Sequence, residues 1–197
     1  MSVGVMLTRA QPFHLGHLKT LKLILEENDF ALLIIGSANK SGTKRNPFPV
    51  KMRKKQVKDA IHFYMPLEEK RVKVITLNDW SKEDFTPAVK EWGQYLYYVT
   101  VNAIGAKKFR FYYNDDIHVV EDWFTEVLKE RIEFRTLDRR EVADGISSTQ
   151  LRCDILQKKY KDVKPNLLQT VTKKDFLEMK NILKKVEKNP LDDYMME

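Results

Sequence analysis

Short apolar runs alternate along this chain with longer segments whose apolar positions recur every three or four residues. Val3–Leu7, Ala31–Ile35, Val72–Thr76, Phe109–Tyr113 and Ile132–Thr136 are continuous apolar or aromatic runs of strand length, and they predict five strands. Between them, Leu18, Leu21 and Leu25 share one helical face, with Leu15 entering at its start. Arg53–Phe63, Pro87–Ile104 and Ile117–Lys129 carry the same period and predict helices. Such strands alternating with helices imply an α/β fold, a doubly wound parallel sheet of about five strands covered on both faces. Ligands of such sheets bind beyond the carboxyl ends of the strands, so the loops that follow the strands are where chemistry is expected. After about Tyr160 the pattern changes. Lys164-Pro165-Asn166 breaks the chain, and Lys173–Glu187 predicts one last charged helix, an appendage packed on the domain or on a neighbouring subunit.

Composition narrows the setting more than the chemistry. A chain of 197 residues with 43% hydrophobic and 32% charged positions can fold as one domain without disulfides or metals as staples. Cys153 is the only cysteine, which excludes an internal disulfide and a multi-cysteine zinc site and suits a reducing compartment. Val3–Leu7 is too short for a signal-peptide core or a membrane span, so a cytoplasmic protein with no membrane partner is expected. The net charge of +7 attracts polyanions, from nucleic acid to nucleoside triphosphates. The lysines of Lys51–Lys55 and Lys158–Lys161 are interleaved with other residues and read as solvated helix faces.

The first loop after a predicted strand runs Thr8-Arg9-Ala10-Gln11-Pro12-Phe13-His14-Leu15-Gly16-His17. Helix starts present free N–H groups and partial positive charge to phosphates. Gly16 lets phosphate oxygens approach the backbone, and histidines three apart can both donate from the first turn. The competing account is that one histidine caps the helix while the other packs on the sheet. The second loop, Gly36 to Phe48, is long and polar and carries Lys40, Lys44 and Arg45, with Arg53 a further phosphate candidate in the next helix. After the fourth strand, Asn114 either faces the crevice, with an amide able to read a sugar hydroxyl or base edge, or caps the helix expected near Ile117, a role that Asp115 or Asp116 also fits. Near the end, Ser147 with Gln150 forms a capping box. The helix it opens exposes N–H groups and the hydroxyls of Ser148 and Thr149. Arg152 sits in the first turn, where a cation is favoured only beside an anion.

Together, His14-Leu15-Gly16-His17 and Ile146-Ser147-Ser148-Thr149-Gln150-Leu151-Arg152 resemble the two signatures of the nucleotidyltransferase superfamily of adenylyl- and cytidylyltransferases. Arg9-Ala10-Gln11-Pro12-Phe13-His14, the Gly36–Phe48 loop, Arg53 and Asn114 are similar to the archaeal-type nicotinamide mononucleotide adenylyltransferases. The resemblance spans roughly residues 3 to 155. It implies a Rossmann-like nucleotidyltransferase domain over 1–158 and a helical extension over 159–197. It further implies transfer of AMP from ATP to a small phosphorylated acceptor, nicotinamide mononucleotide, with NAD and pyrophosphate as products and magnesium accompanying the triphosphate. The implied catalytic residues are His14, His17 and Arg152. Arg9, Gln11, Gly16, Asn46, Arg53, Asn114, Ile146, Ser147, Ser148 and Thr149 would bind ATP. Ser37, Asp79 and Trp80 would bind the acceptor, with Trp92 a second aromatic candidate and no protein ligands for a metal. A homo-oligomer without nucleic-acid partners is expected.

Ala10, Lys51, Met52 and Tyr113 depart from that branch, the last standing where it has a glycine. These departures leave two rivals. One is a sister transferase acting on phosphopantetheine, a flavin phosphate or a polyol phosphate; the other is a non-catalytic nucleotide sensor. An RNA-binding fragment of a synthetase-like protein is disfavoured, because no anticodon-binding domain or lysine-rich catalytic loop is present.

Overall fold

The computed structural model describes residues 1–79, 89–114, 120–138 and 146–188. Five strands, β1 (Val3–Thr8), β2 (Phe30–Ile35), β3 (Val72–Thr76), β4 (Phe109–Asn114) and β5 (Ile132–Leu137), form one parallel sheet in the order β3-β2-β1-β4-β5. The helices are α1 (Leu15–Glu27), α2 (Val50–Tyr64), α3 (Val89–Ile104), α4 (Glu126–Lys129), α5 (Ser148–Gln157), α6 (Tyr160–Val163) and α7 (Lys173–Glu187). Every predicted strand is present, each within one residue of its predicted ends. None of the helices among the described residues is long and apolar enough to cross a membrane.

Successive side chains of a strand point to opposite faces, so a strand buried on both reads as an unbroken apolar run. In β1 and β2, Met6, Leu33 and Ile35 pack with Leu21 of α1, Val57 and Ala60 of α2 and Ile155 of α5. Val5, Leu32 and Ile34 face the other way, against Phe111, Leu96 and Tyr97 of α3, and Phe124. From β1 the chain moves outward to β2 and β3, then returns to place β4 on the other side of β1. The strand order therefore reverses between β1 and β4, and a crevice opens beyond Thr8 and Asn114.

The last helices belong to the first of these two layers. α7 buries Phe176, Met179 and Leu183 in the same cluster as Leu151 and Ile155 of α5. The break at Lys164-Pro165-Asn166 is a 3-10 turn, and the Lys164 ammonium donates to the carbonyls of Leu168 and Gln169 at 3.1 Å and Val171 at 3.0 Å. One side chain thus gathers three carbonyls of the turn that leads to α7, where the Val171 N–H also donates to Leu168 and the Tyr160 hydroxyl to Val171.

One predicted helix is not formed as expected. Of the span 117–129, residues 120–129 are described, and they give a 3-10 turn, Glu121–Trp123, followed by the four-residue α4. The cause is packing against α3: a Cβ on Gly93 would lie 1.7 Å from the Trp123 carbonyl oxygen, so only glycine admits that backbone. Phe124 then turns extended (φ −105°, ψ 145°) and enters the core, which ends any continuous helix.

Candidate active site

The crevice is built from its loops upward, starting where β1 becomes α1. His14 is the residue that caps α1, and its Nδ1 accepts the Gly16 backbone N–H at 3.1 Å. His17 completes the box: its Nδ1 accepts the backbone N–H of His14 at 3.3 Å. A ring nitrogen that accepts a backbone N–H must carry a lone pair, so in each neutral ring the proton resides on Nε2. The His17 Nε2–H donates to the Thr8 hydroxyl at 2.9 Å, and the two imidazoles lie 3.8 Å apart. Helix capping and phosphate donation are thus not alternatives here. The cap fixes the tautomer that a phosphate oxygen requires.

Two side chains tie this turn to the loop after β2. Gln11 is buried; its Oε1 accepts the Phe48 N–H at 2.9 Å and its Nε2 donates to the Phe48 carbonyl at 3.3 Å. Arg53, expected among the ATP ligands, is fully enclosed beneath the crevice, with 0% exposure. Its guanidinium donates to the carbonyls of Arg9 (3.0 Å), Gly36 (2.8 Å) and Ser37 (2.9 Å). Both terminal nitrogens are engaged by backbone, so Arg53 ties loops together from beneath the crevice, and the side chain of Gln11 has a similar tethering use. Ser37 has a left-handed backbone (φ 48°) and donates its hydroxyl to Asp79 at 3.1 Å. Asp79 also pairs with Lys40 at 3.2 Å, joining the loops after β2 and β3.

On the other side, Ser147 caps α5 by accepting the Gln150 N–H at 3.0 Å. Arg152 reaches back to donate to the Gln11 carbonyl at 2.8 Å and to the Thr149 hydroxyl at 3.2 Å. Ser148 donates to the carbonyl of Pro12 at 3.2 Å. These contacts hold the starts of α1 and α5 against each other, although 136 and 141 residues separate the partners. Burial first and the charge of Arg9 second push the Arg152 guanidinium below its ordinary pKa. Desolvation and the neighbouring Arg45 act the same way on Arg9, with Asp79 opposing. Crowding cations in this way is unfavourable unless an anion joins them.

A cavity of about 640 Å³ and a second of about 260 Å³ share Thr8, Arg9, His17, Thr20, Arg45 and Asn114 as walls. The smaller holds His14, Gly16, Gln11 and the span Ile146 to Thr149, the larger Ser37, Asn46, Asp79 and Trp92. Of the residues expected to bind ATP, Gln11, Gly16 and Ile146 to Thr149 line the smaller cavity, Arg9 and Asn114 both, Asn46 the larger, and Arg53 neither; Ser37 and Asp79, expected at the acceptor, line the larger. Trp80 lies outside the described residues, as do Asp115 and Asp116. Trp92 and Trp123 line the larger cavity with Phe111 and Val120. Trp123 was not foreseen, because the 3-10 turn that delivers it has no periodic signature. Thr8, which positions His17, opens the first loop in the sequence, where nothing signals that contact. Among the described residues no group of three His, Cys, Asp or Glu side chains could hold a metal ion.

Comparison with known proteins places these loops in a family. Over 61 residues the chain is 39% identical to the nicotinamide-nucleotide adenylyltransferase of Saccharolobus solfataricus, covering 31% of this chain and 36% of that one. Over 40 residues it is 60% identical to the enzyme of the same name from Thermoplasma volcanium, covering 20% and 22%. The matched stretches thus span about a third or less of those relatives. In three dimensions the chain resembles a bifunctional NMN adenylyltransferase/ADP ribose pyrophosphatase from Francisella tularensis, solved with AMP and an Mn ion. The TM-score is 0.63 at 15% identity, over 98% of this chain and 51% of that one. The Cytidylyltransferase-like family model matches residues 5–154, a span that contains both helix starts and the tethered loop between them, and the chain belongs to that family.

Proposed function

We propose that the protein transfers the adenylyl group of ATP to the phosphate of nicotinamide mononucleotide, giving NAD and pyrophosphate. The observation that carries this is the meeting of two helix starts, α1 and α5, in one crevice lined by Arg9, Arg45, His14 and His17. Two sets of outward N–H groups and several cations, with no acid in either first turn, form a cradle for a polyanion. The adjoining larger cavity, with Trp92 and Trp123 as aromatic walls, suits a mononucleotide.

In the reaction, an oxygen of the acceptor phosphate attacks the α-phosphorus in line, and the bond from that phosphorus to the bridging oxygen of pyrophosphate breaks. The nucleophile belongs to the substrate, so the protein supplies position and charge. The Nε2–H of His14 donates to a phosphate oxygen from an orientation the helix cap has already fixed, and the Nε2–H of His17 does so by exchanging the Thr8 hydroxyl for a phosphate oxygen. Arg152, with the α5 N–H groups and the Ser148 and Thr149 hydroxyls, holds the departing pyrophosphate. Arg9 and Arg45 stand where both halves meet. Magnesium is a hard cation that prefers oxygen, and triphosphate oxygens with water can provide its ligands without a protein cage. When bound, it offsets phosphate charge.

The test is to incubate the protein with ATP, magnesium and each candidate acceptor, following pyrophosphate release and the nucleotide product. NAD from nicotinamide mononucleotide, well above every other product, is expected, and silence with that acceptor would sink the proposal. Tyr113 favours a second reading. It stands where the archaeal-type branch has glycine, lines the larger cavity and donates to Glu121 at 2.7 Å. A ring there reshapes the acceptor end. A sister acceptor would then be adenylylated in preference to the pyridine mononucleotide.

A further inference from the structure

We propose that Arg53 is a positioning residue whose buried guanidinium sets the spacing between the triphosphate loop and the acceptor-side loop, and so between the two reacting phosphates. The inference rests on the adenylyl-transfer reading of the crevice. Its basis is the unusual place of this cation. Arg53 projects from α2 beneath the crevice, and its partners among the described residues are three backbone carbonyls. Burying a guanidinium is costly, and its Nε has no hydrogen-bond partner. A need merely to fill space would be met by a Leu or Met without that penalty.

The carbonyls it gathers explain the choice. One belongs to Arg9, on the turn that carries the histidines, and two to Gly36 and Ser37, on the loop that reaches Asp79. A guanidinium is a planar fork whose donors diverge at fixed angles, so it fixes both the separation and the orientation of the strand ends it joins. It also caps the carbonyl of Ser37, whose left-handed backbone (φ 48°) is disfavoured for any residue but glycine. If that carbonyl swung away, the Ser37 hydroxyl would leave Asp79. Gln11 makes a separate tether at the other end of the same loop, on Phe48. Gln11 and Arg53 thus tie the histidine turn to the two ends of that loop, and Arg53 sets the end that leads to Asp79 against the turn.

Arg53→Lys tests this, because it keeps the charge but replaces the fork with a single ammonium. Each substrate should still bind, with both KM values within about threefold of wild type. Turnover should fall about 10- to 100-fold, the expected penalty for a displacement near 1 Å between reacting groups. Amide hydrogen exchange should quicken in both 9–17 and 36–38 while β2 and β4 stay protected. Wild-type kcat in a folded Arg53→Lys protein, a KM for ATP that rises in step with the lost activity, or faster exchange confined to α2 would each overturn the proposal. Should that variant not fold, Ser37→Ala carries the test. It severs the next link of the same chain, and a kcat-selective loss is expected, whereas unchanged kcat overturns the proposal. A wild-type protein that forms no dinucleotide would remove the functional reading alone, and the exchange measurement would still decide the role of Arg53.

Discussion

The start of α7 and the starts of α1 and α5 satisfy the same backbone groups by different means. At α7, Thr172 accepts the Asp175 N–H at 3.1 Å while the Asp175 carboxylate accepts the Thr172 N–H at 2.8 Å. That helix carries its own acid against the positive end of its dipole. The first turns of α1 and α5 contain no acid; their caps are His14 and Ser147, and Arg152 adds a positive charge where one is unfavourable. One helix end is complete within its own sequence. α1 also closes its box locally, but with two imidazoles and no carboxylate, and α5 is capped by the Ser147 hydroxyl alone; on the proposed function an incoming anion supplies the negative charge both lack. On that reading the contrast separates a helix end that serves stability alone from helix ends that also serve binding, with no appeal to their position in the fold.

The contrast can be broken in several ways, of which replacing a histidine should have the largest effect. His17→Ala removes a pre-set donor and should lower kcat about 10² to 10³-fold with the thermal midpoint little changed, in steady-state assays beside a melting curve. A wild-type rate would take the histidine pair out of the mechanism. Next, Thr149→Glu would give α5 the acid it lacks. The helix should gain about 0.3–1 kcal/mol while the KM for ATP rises about tenfold, a stabilising change that harms function. Third, Thr172→Ala should cost about 1 kcal/mol of stability, read from urea unfolding, and leave both KM values and kcat unaltered. The smallest effect concerns pH. Burial pushes the Asp175 carboxyl up, but hydrogen bonds from the Thr172 hydroxyl and backbone, helped by Lys55 and Lys174, hold it below its ordinary 3.8. Its stabilising contribution is therefore complete above the ordinary aspartate range and fades as pH falls from about 3.8 through the lower folded value. Asp175→Asn should abolish that part of the acid sensitivity in melts between neutral pH and pH 3.

Local chemistry was legible in the chain, whereas contacts between distant segments were not. The five strands follow from apolar runs whose two-sided burial is a local property, and the caps at His14 and Ser147 involve partners two or three residues away. The use of Arg53 could not be inferred this way. Its position suggested a phosphate ligand, but the carbonyls it binds lie 44, 17 and 16 residues off, and only the folded sheet brings them beneath the crevice. The span 117–129 misled for a related reason. Its period suggests one helix, but the close approach of Trp123 to Gly93 on α3 overrides local preference. Trp123 consequently joins the wall of the larger cavity without any signature in its neighbours.

The paired tethers on the loop after β2 bear on how such a crevice can change. Arg53 holds residues 36 and 37, and Gln11 holds residue 48, so both ends of the loop are anchored independently of what lies between. The intervening stretch before Arg45, with Lys40 and Lys44, can therefore vary more freely than its ends. Lengthening it costs little entropy, because loop closure grows only with the logarithm of length. On the proposed function, new acceptors could be explored by drift before Arg45 while that cation and the two helix starts that would grip the triphosphate stay in place.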